Sequence, residues 1–170
     1  GMGHIGRHVA LRLKAFGADL LYVDSQPAPA ELTAEFSLAR VDLSEALARA
    51  DILSLHVPLL PQTRGLIGTA ELAQMRPTAL LINTCRGPVV DETALIAALR
   101  EQQILGAGLD VFEREPLAPD HPLLNMPNAL LTPHAAGITH DTWSRRGAFA
   151  FANLRRVWAG AKPLSQIGAS

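Results

Sequence analysis

Short apolar runs alternate along this chain with longer stretches whose apolar side chains recur at helical spacing, and glycine, proline, asparagine or aspartate marks most junctions between them. The apolar runs predict strands at 19–23, 51–57, 79–82, 104–111 and 129–132, with a brief edge strand at 40–41. The stretches between them predict helices at 4–16, 32–39, 45–50, 69–75, 92–100 and 140–158. Their ends carry signals: Ser44 is a candidate N-cap, Pro77 stops the helix at 69–75, Asp91 caps the one at 92–100 and Gly160 ends the last. Within 92–100, Leu95, Ile96, Ala98 and Leu99 fall on the inward face. Residues 25–31 and 115–127, each holding several prolines, read as a turn and a loop. The run at 51–57 is mostly apolar, as in a parallel strand covered on both faces. This rhythm of strand and helix predicts an α/β fold with a doubly wound parallel sheet.

The opening stretch, Gly-Met-Gly-His-Ile-Gly, places Gly1, Gly3 and Gly6 at the spacing of a dinucleotide-binding turn. There the first glycine makes the turn, the second lets backbone approach a pyrophosphate, and the third packs helix against strand. Asp24 ends the strand at 19–23, roughly 20 residues past the glycines, where such folds place a carboxylate for the ribose hydroxyls. A plain turn residue ahead of Pro27 and Pro29 is the alternative reading. The sheet is therefore expected to be Rossmann-type. A strand should enter the glycine turn, and none precedes Gly1 in the sequence. The expectation is an N-terminally truncated dinucleotide-binding domain at 1–160, a sheet lacking its first strand, and a tail at 161–170.

Composition narrows the function classes. With 170 residues, 48% of them hydrophobic, and a formal net charge of -1, the chain can bury a sizeable core and gives no electrostatic reason to expect nucleic acid or an anionic membrane surface. No apolar run is long enough to span a bilayer, and the start carries no secretory leader pattern. Cys85, the single cysteine, can form neither an internal disulfide nor a cysteine-rich metal cluster. His4 and His8 have i,i+4 spacing without the rest of a zinc motif, so no metal is expected. A reducing, cytoplasmic setting fits these features.

Three polar residues follow separate predicted strands: Arg86, Glu115 and His134. If the topology gathers them, histidine exchanges a proton near neutral pH, the carboxylate orients it, and arginine grips a substrate carboxylate. With a nicotinamide, that set would interconvert a 2-hydroxy acid and its 2-keto acid. The plainer readings are a turn histidine, a solvated glutamate, and an arginine paired with Asp91. Asp110, at the end of an apolar strand, needs a partner if buried. His56 reads as wall or cofactor contact, and Cys85 lacks a local base that would make it a nucleophile.

The motifs together closely resemble the cofactor domain of the D-isomer-specific 2-hydroxyacid dehydrogenases. The likeness runs through Gly1–Gly6, His56-Val-Pro-Leu, Thr63-Arg-Gly-Leu-Ile-Gly, Leu81 through Asp91, Gly108 through Pro116, and Leu131-Thr-Pro-His-Ala-Ala-Gly. It implies NAD as cofactor, with His134 as catalytic base, Glu115 as its carboxylate partner and Arg86 as the substrate-binding arginine. It also implies that Asp110 contacts the nicotinamide carboxamide, that Asp24 is the ribose acid, and that His4 and Ile5 lie at the pyrophosphate turn. By the same resemblance Val57, Pro58 and Thr63 form the wall around adenine and ribose, and Thr84 and Cys85 lie beneath the nicotinamide. Ala136 replaces the glycine often found after the catalytic histidine. The family further implies a homodimer, a small 2-hydroxy or 2-keto acid substrate, and a separate substrate domain without which these residues alone are expected to be inactive. Phosphonate dehydrogenase within the family, or a nonenzymatic NAD-sensing corepressor, is the alternative. A Gln-His pairing resembles the formate enzymes, and Glu115 departs from it.

Overall fold

A computed structural model describes residues 1–165 of the chain, so residues 166–170 of the expected tail lie outside the described part. The chain divides into two compact units, Gly1–His134 and the residues from Ala135 onward. No residue of the long terminal helix is buried.

The first unit runs α1 (His4–Ala15), β1 (Leu21–Tyr22), α2 (Ala30–Phe36), β2 (Ala39–Arg40), α3 (Leu43–Arg49), β3 (Ile52–Leu55), α4 (Thr69–Leu72), β4 (Leu80–Asn83), α5 (Glu92–Arg100), β5 (Gly106–Leu109) and β6 (Ala129–Leu131). Short 3-10 turns at Gly87–Val89 and Pro122–Asn125 follow β4 and β5. All pairings are parallel, as predicted. The strands form two sheets, one of β1 and β2 and one ordered β3-β4-β5-β6. Gly1 stands between them: its amino group donates to the Val23 carbonyl at 2.8 Å beyond β1, and a side chain on it would meet the His56 carbonyl oxygen beyond β3 at 2.7 Å.

The strands are shorter than their apolar runs because apolarity reports burial, whereas a strand also requires a ladder partner. Ile104 and Val111 flank β5 and are almost wholly buried although neither belongs to the strand. The larger core gathers Leu47, Leu55, Leu72, Leu81, Leu95, Leu99, Ile104 and Leu109. A second cluster joins Met2 and Ala10 to Tyr22, Phe36 and Leu38 under the small sheet.

Helix ends follow side-chain chemistry. Asp91 caps α5 as expected, its Oδ1 accepting the Ala94 N–H at 3.0 Å. Ala94, Leu95, Ala98 and Leu99 are buried on the inner face, while Ile96 is only half-buried and packs at the margin. Ser44 is not the cap of α3. Asp42 is, accepting the Glu45 N–H at 2.7 Å, and Ser44 Oγ donates instead to Gln74 Oε1 at 2.8 Å. A carboxylate two residues earlier outcompetes a hydroxyl that has a partner elsewhere.

The second unit holds α6 (His140–Trp158), with Thr139 as N-cap and Gly160 in the left-handed region just past its end. Trp143, Phe151 and Trp158 are 62%, 64% and 83% exposed. No helix among the described residues is long and apolar enough to cross a membrane.

Leu99 is 1% exposed and Leu130 74%. Leu99→Ala should therefore lower unfolding free energy by roughly 2–5 kcal/mol, and Leu130→Ala by about 0.5 kcal/mol or less. Urea denaturation of each variant of this chain checks the contrast, and equal losses would contradict the assignment of the core.

Candidate active site

Register builds the site. Leu55, Asn83, Leu109 and Leu131 are successive neighbours across β3, β4, β5 and β6. The residues that follow them, His56, Thr84, Asp110 and Thr132, consequently leave the sheet along one edge. Ligands of open α/β sheets bind beyond this carboxyl edge.

At the glycine turn, a side chain on Gly6 would lie 2.1 Å from the Gly1 carbonyl oxygen, so only glycine lets α1 start so close to the turn. Gly3 is the N-cap of α1 and supplies no side-chain cap, and the first turn holds no acidic residue. The amides of His4, Ile5 and Gly6 precede the first N–H, that of Arg7, that bonds back along the helix. Such a helix start attracts an anion. Asp24 sits beside it, with Oδ2 accepting the Met2 N–H at 2.7 Å and Oδ1 accepting the Gln26 N–H at 3.0 Å. These two bonds, that of Gln26 foremost, hold its carboxyl below the usual carboxylate range.

A cavity of about 410 Å³ beside this turn is lined by Ile5, His56, Val57, Pro58, Thr84, Cys85 and Arg86 together with Leu59. Seven of its eight lining residues are candidates from the sequence. Thr63 braces the wall: its hydroxyl donates to the Pro58 carbonyl at 2.5 Å and accepts the Leu60 N–H at 2.8 Å. His56 Nε2 lies 2.9 Å from Ser54 Oγ, and its buried Nδ1 has no hydrogen-bond partner among the described residues. Burial is the main cause that lowers its pKa and favours the neutral ring. Burial likewise raises the pKa of the Cys85 thiol, which donates to Asn83 Oδ1 at 3.0 Å. A protonated, bonded thiol is no nucleophile.

Arg86 is exposed, and its Nη1 donates to the Cys85 carbonyl at 2.6 Å. The alternative pairing with Asp91 is absent: the described residues give Arg86 no ion pair, and Asp91 caps α5 instead.

His134 and Glu115 do meet. His134 Nδ1 lies 2.8 Å from Glu115 Oε2, and Glu115 Oε1 accepts the Phe112 N–H at 3.0 Å. Because the carboxylate can only accept, Nδ1 carries the proton and Nε2 is left as the ring's acceptor. The His134 bond is the largest influence holding the Glu115 carboxyl below its usual range, and the Phe112 N–H is the next. His134 adopts a left-handed backbone with φ 53°, a conformation costly for a non-glycine residue. The pair lines a second, largely apolar cavity of about 560 Å³ with Phe112, Leu117, Leu124 and Leu131. Arg86 lines the first cavity and the dyad lines the second, so the three candidates do not share one cavity. Asp110 is 4% exposed and accepts the Thr132 hydroxyl at 2.5 Å. Ala136 belongs to the second unit and is exposed.

Two residues escaped the sequence reading. Asn83, 1% exposed, shapes the turn under Arg86: Oδ1 accepts the Cys85 N–H at 3.0 Å and Nδ2 donates to the Arg86 carbonyl at 3.1 Å. An asparagine closing an apolar run just before a glycine turn was the available signal. Arg40 donates to the carbonyls of Asp24 and Ser25 at 2.9 and 3.3 Å, placing a cation at the acidic turn. No local signal marks it, since its position depends on the β1–β2 pairing.

Three features fit a dinucleotide: a helix start with unbonded amides, an ionised carboxylate beside it, and an orphaned imidazole nitrogen on the cavity wall. A family model described as D-isomer specific 2-hydroxyacid dehydrogenase, NAD binding domain, matches residues 1–136. The chain belongs to this family. NAD is therefore the cofactor of the domain. The chain is 48% identical over 163 residues to a glyoxylate reductase of Korarchaeum cryptofilum, covering 96% of this chain and 49% of that protein. It superposes on the holo form of Rhodotorula graminis D-mandelate dehydrogenase with TM-score 0.93 at 36% identity, covering 99% of this chain and 50% of that one. D-lactate dehydrogenase with NAD+ from Lactobacillus jensenii gives TM-score 0.91 at 33% identity, covering 99% and 54%. The chain thus spans about half the length of the relatives it matches.

Because His134 is the main influence on Glu115, His134→Ala should move the Glu115 titration up toward the ordinary glutamate range. Glu115 has the depressed value, so its contribution to stability is full above the unfolded pKa and disappears as pH falls through the folded one. Carboxyl-carbon NMR of the chain across acid pH measures the shift; an unmoved titration would mean that the pair is not formed in solution.

Proposed function

We propose that the protein carrying this domain interconverts a small D-2-hydroxy acid and its 2-keto acid with NAD(H). The observation that carries the reading is the 2.8 Å bond between His134 Nδ1 and Glu115 Oε2, which leaves Nε2 available for proton exchange. Bound NAD supplies the hydride acceptor, and NADH the donor. His134 takes the hydroxyl proton at Nε2 during oxidation and returns it to the carbonyl oxygen during reduction. Glu115 stabilises the imidazolium formed in between. Arg86 offers its guanidinium to the substrate carboxylate.

For the cofactor, the amides of His4 and Ile5 with Gly1, Gly3 and Gly6 would hold the pyrophosphate, and Asp24 would accept the ribose hydroxyls. Val57, Pro58 and Thr63 form the adenine and ribose wall. Thr84 and Cys85, with His56 beside them, would hold the nicotinamide, and Asp110 would meet its carboxamide. The name of the Korarchaeum relative makes glyoxylate the first 2-keto acid to test. We also place the protein in the cytoplasm, where its single thiol stays reduced. It is proposed to act as a homodimer, with the exposed apolar side chains of α6 meeting a second copy.

NADH oxidation with glyoxylate, hydroxypyruvate and pyruvate tests the activity. His134→Ala should lower turnover by about 10²–10⁴-fold while NADH binding persists. The same assay with NADPH should give a lower kcat/KM, because a 2′-phosphate meets the Asp24 carboxylate. Turnover undiminished by the substitution would overturn the catalytic assignment, and equal use of NADPH would overturn the role of Asp24.

Sedimentation at micromolar protein should show a dimer. A clean monomer contradicts the role given to α6.

A further inference from the structure

A second carboxylate–imidazole pair lies away from both cavities. Glu92, the first residue of α5, has Oε1 3.1 Å from His121 Nε2, and the two side chains are only 15% and 18% exposed. His121 Nδ1 accepts the Leu123 N–H at 3.4 Å, so Nε2 carries the ring proton and donates it to Glu92. The other oxygen of Glu92 accepts the Glu113 backbone N–H at 3.1 Å. One carboxylate therefore grips the chain at 113 and at 121, and Glu115 lies on the segment between. Capping does not require Glu92, since Asp91 already caps α5.

The same segment is fixed from a second side. A side chain on Gly87 would lie 1.8 Å from the Phe112 carbonyl oxygen and 2.6 Å from the Glu113 nitrogen, so the backbone next to Arg86 rests directly on this peptide. Phe112 donates its own N–H to Glu115. The Phe112–Glu113 peptide is thus held by the Arg86 turn and by Glu92, and the peptide just before it by the carboxylate that meets His134.

We propose that Glu92 and His121 are positioning residues of the active site, holding the segment 113–121 where Glu115 reaches His134 and tying it to the turn that carries Arg86. The proposal rests on the reading of Glu115 and His134 as the proton-exchanging pair. Neither residue lines either cavity; both act through Glu115.

Two readouts test it. Carboxyl-carbon NMR of this chain follows the Glu115 titration, which also feels His134, the Phe112 N–H and Asp110. Glu92→Ala should move it up toward the ordinary range, as His134→Ala does, and His121→Gln, which keeps an N–H donor, should move it less. In the complete enzyme, Glu92→Ala should lower kcat by about 10–100-fold, a misplacement effect, with the KM for NADH within about twofold of the parent. It should add no further loss in a His134→Ala background. If Glu92→Ala does not fold, Glu92→Gln, which keeps one acceptor oxygen, is read by the same criteria. An unshifted Glu115 titration with unchanged kcat overturns the proposal while His134→Ala still abolishes turnover. An active His134→Ala enzyme instead overturns the catalytic reading beneath it.

Discussion

The parallel register of β3 to β6 is the constraint from which the site follows. Because Leu55, Asn83, Leu109 and Leu131 stand side by side, four loops begin at one edge, and residues far apart in sequence become neighbours. A slip of one residue in any strand would turn its side chains to the opposite face and put a polar strand end into the core. Burial of Leu55, Leu81 and Leu109 on the inner faces holds the register, and the same burial therefore holds the chemistry.

What was legible in the sequence depended on whether the cause was local. The Asp91 cap and the bounds of α5 and α6 could be read because cap and periodicity lie within a few residues of each other. The motif at the glycine turn could be read for the same reason, since Gly6 answers to a carbonyl five residues earlier. Ser44 was misread because its partner, Gln74, belongs to another part of the chain. Arg40 and the Glu92 contacts depend on pairings over many residues and leave no local trace. The candidate residues were found chiefly by resemblance; the residues alone left His134, Glu115 and Arg86 open to plainer readings.

The His134–Glu115 pair contributes little to folding. Its side chains are 52% and 35% exposed, and a polar pair so open to solvent is worth about 0–1 kcal/mol at most. The left-handed backbone of His134 costs on the order of 1–3 kcal/mol. Stability alone would not select this arrangement. It does aim an imidazole held in one tautomer, at a position set by the strand end just before it.

The surroundings of the pair explain how such a strained, open residue stays in place. On one side, His134 follows Thr132, whose hydroxyl is bound to the buried Asp110 and whose backbone N–H donates to Leu109. On the other, Glu115 accepts the N–H of Phe112, a residue whose carbonyl packs against Gly87. Each partner is thus anchored within one or two bonds to a strand end of the four-stranded sheet. The buried polar contacts carry the precision, and the exposed pair is left accessible for exchange with solvent and substrate.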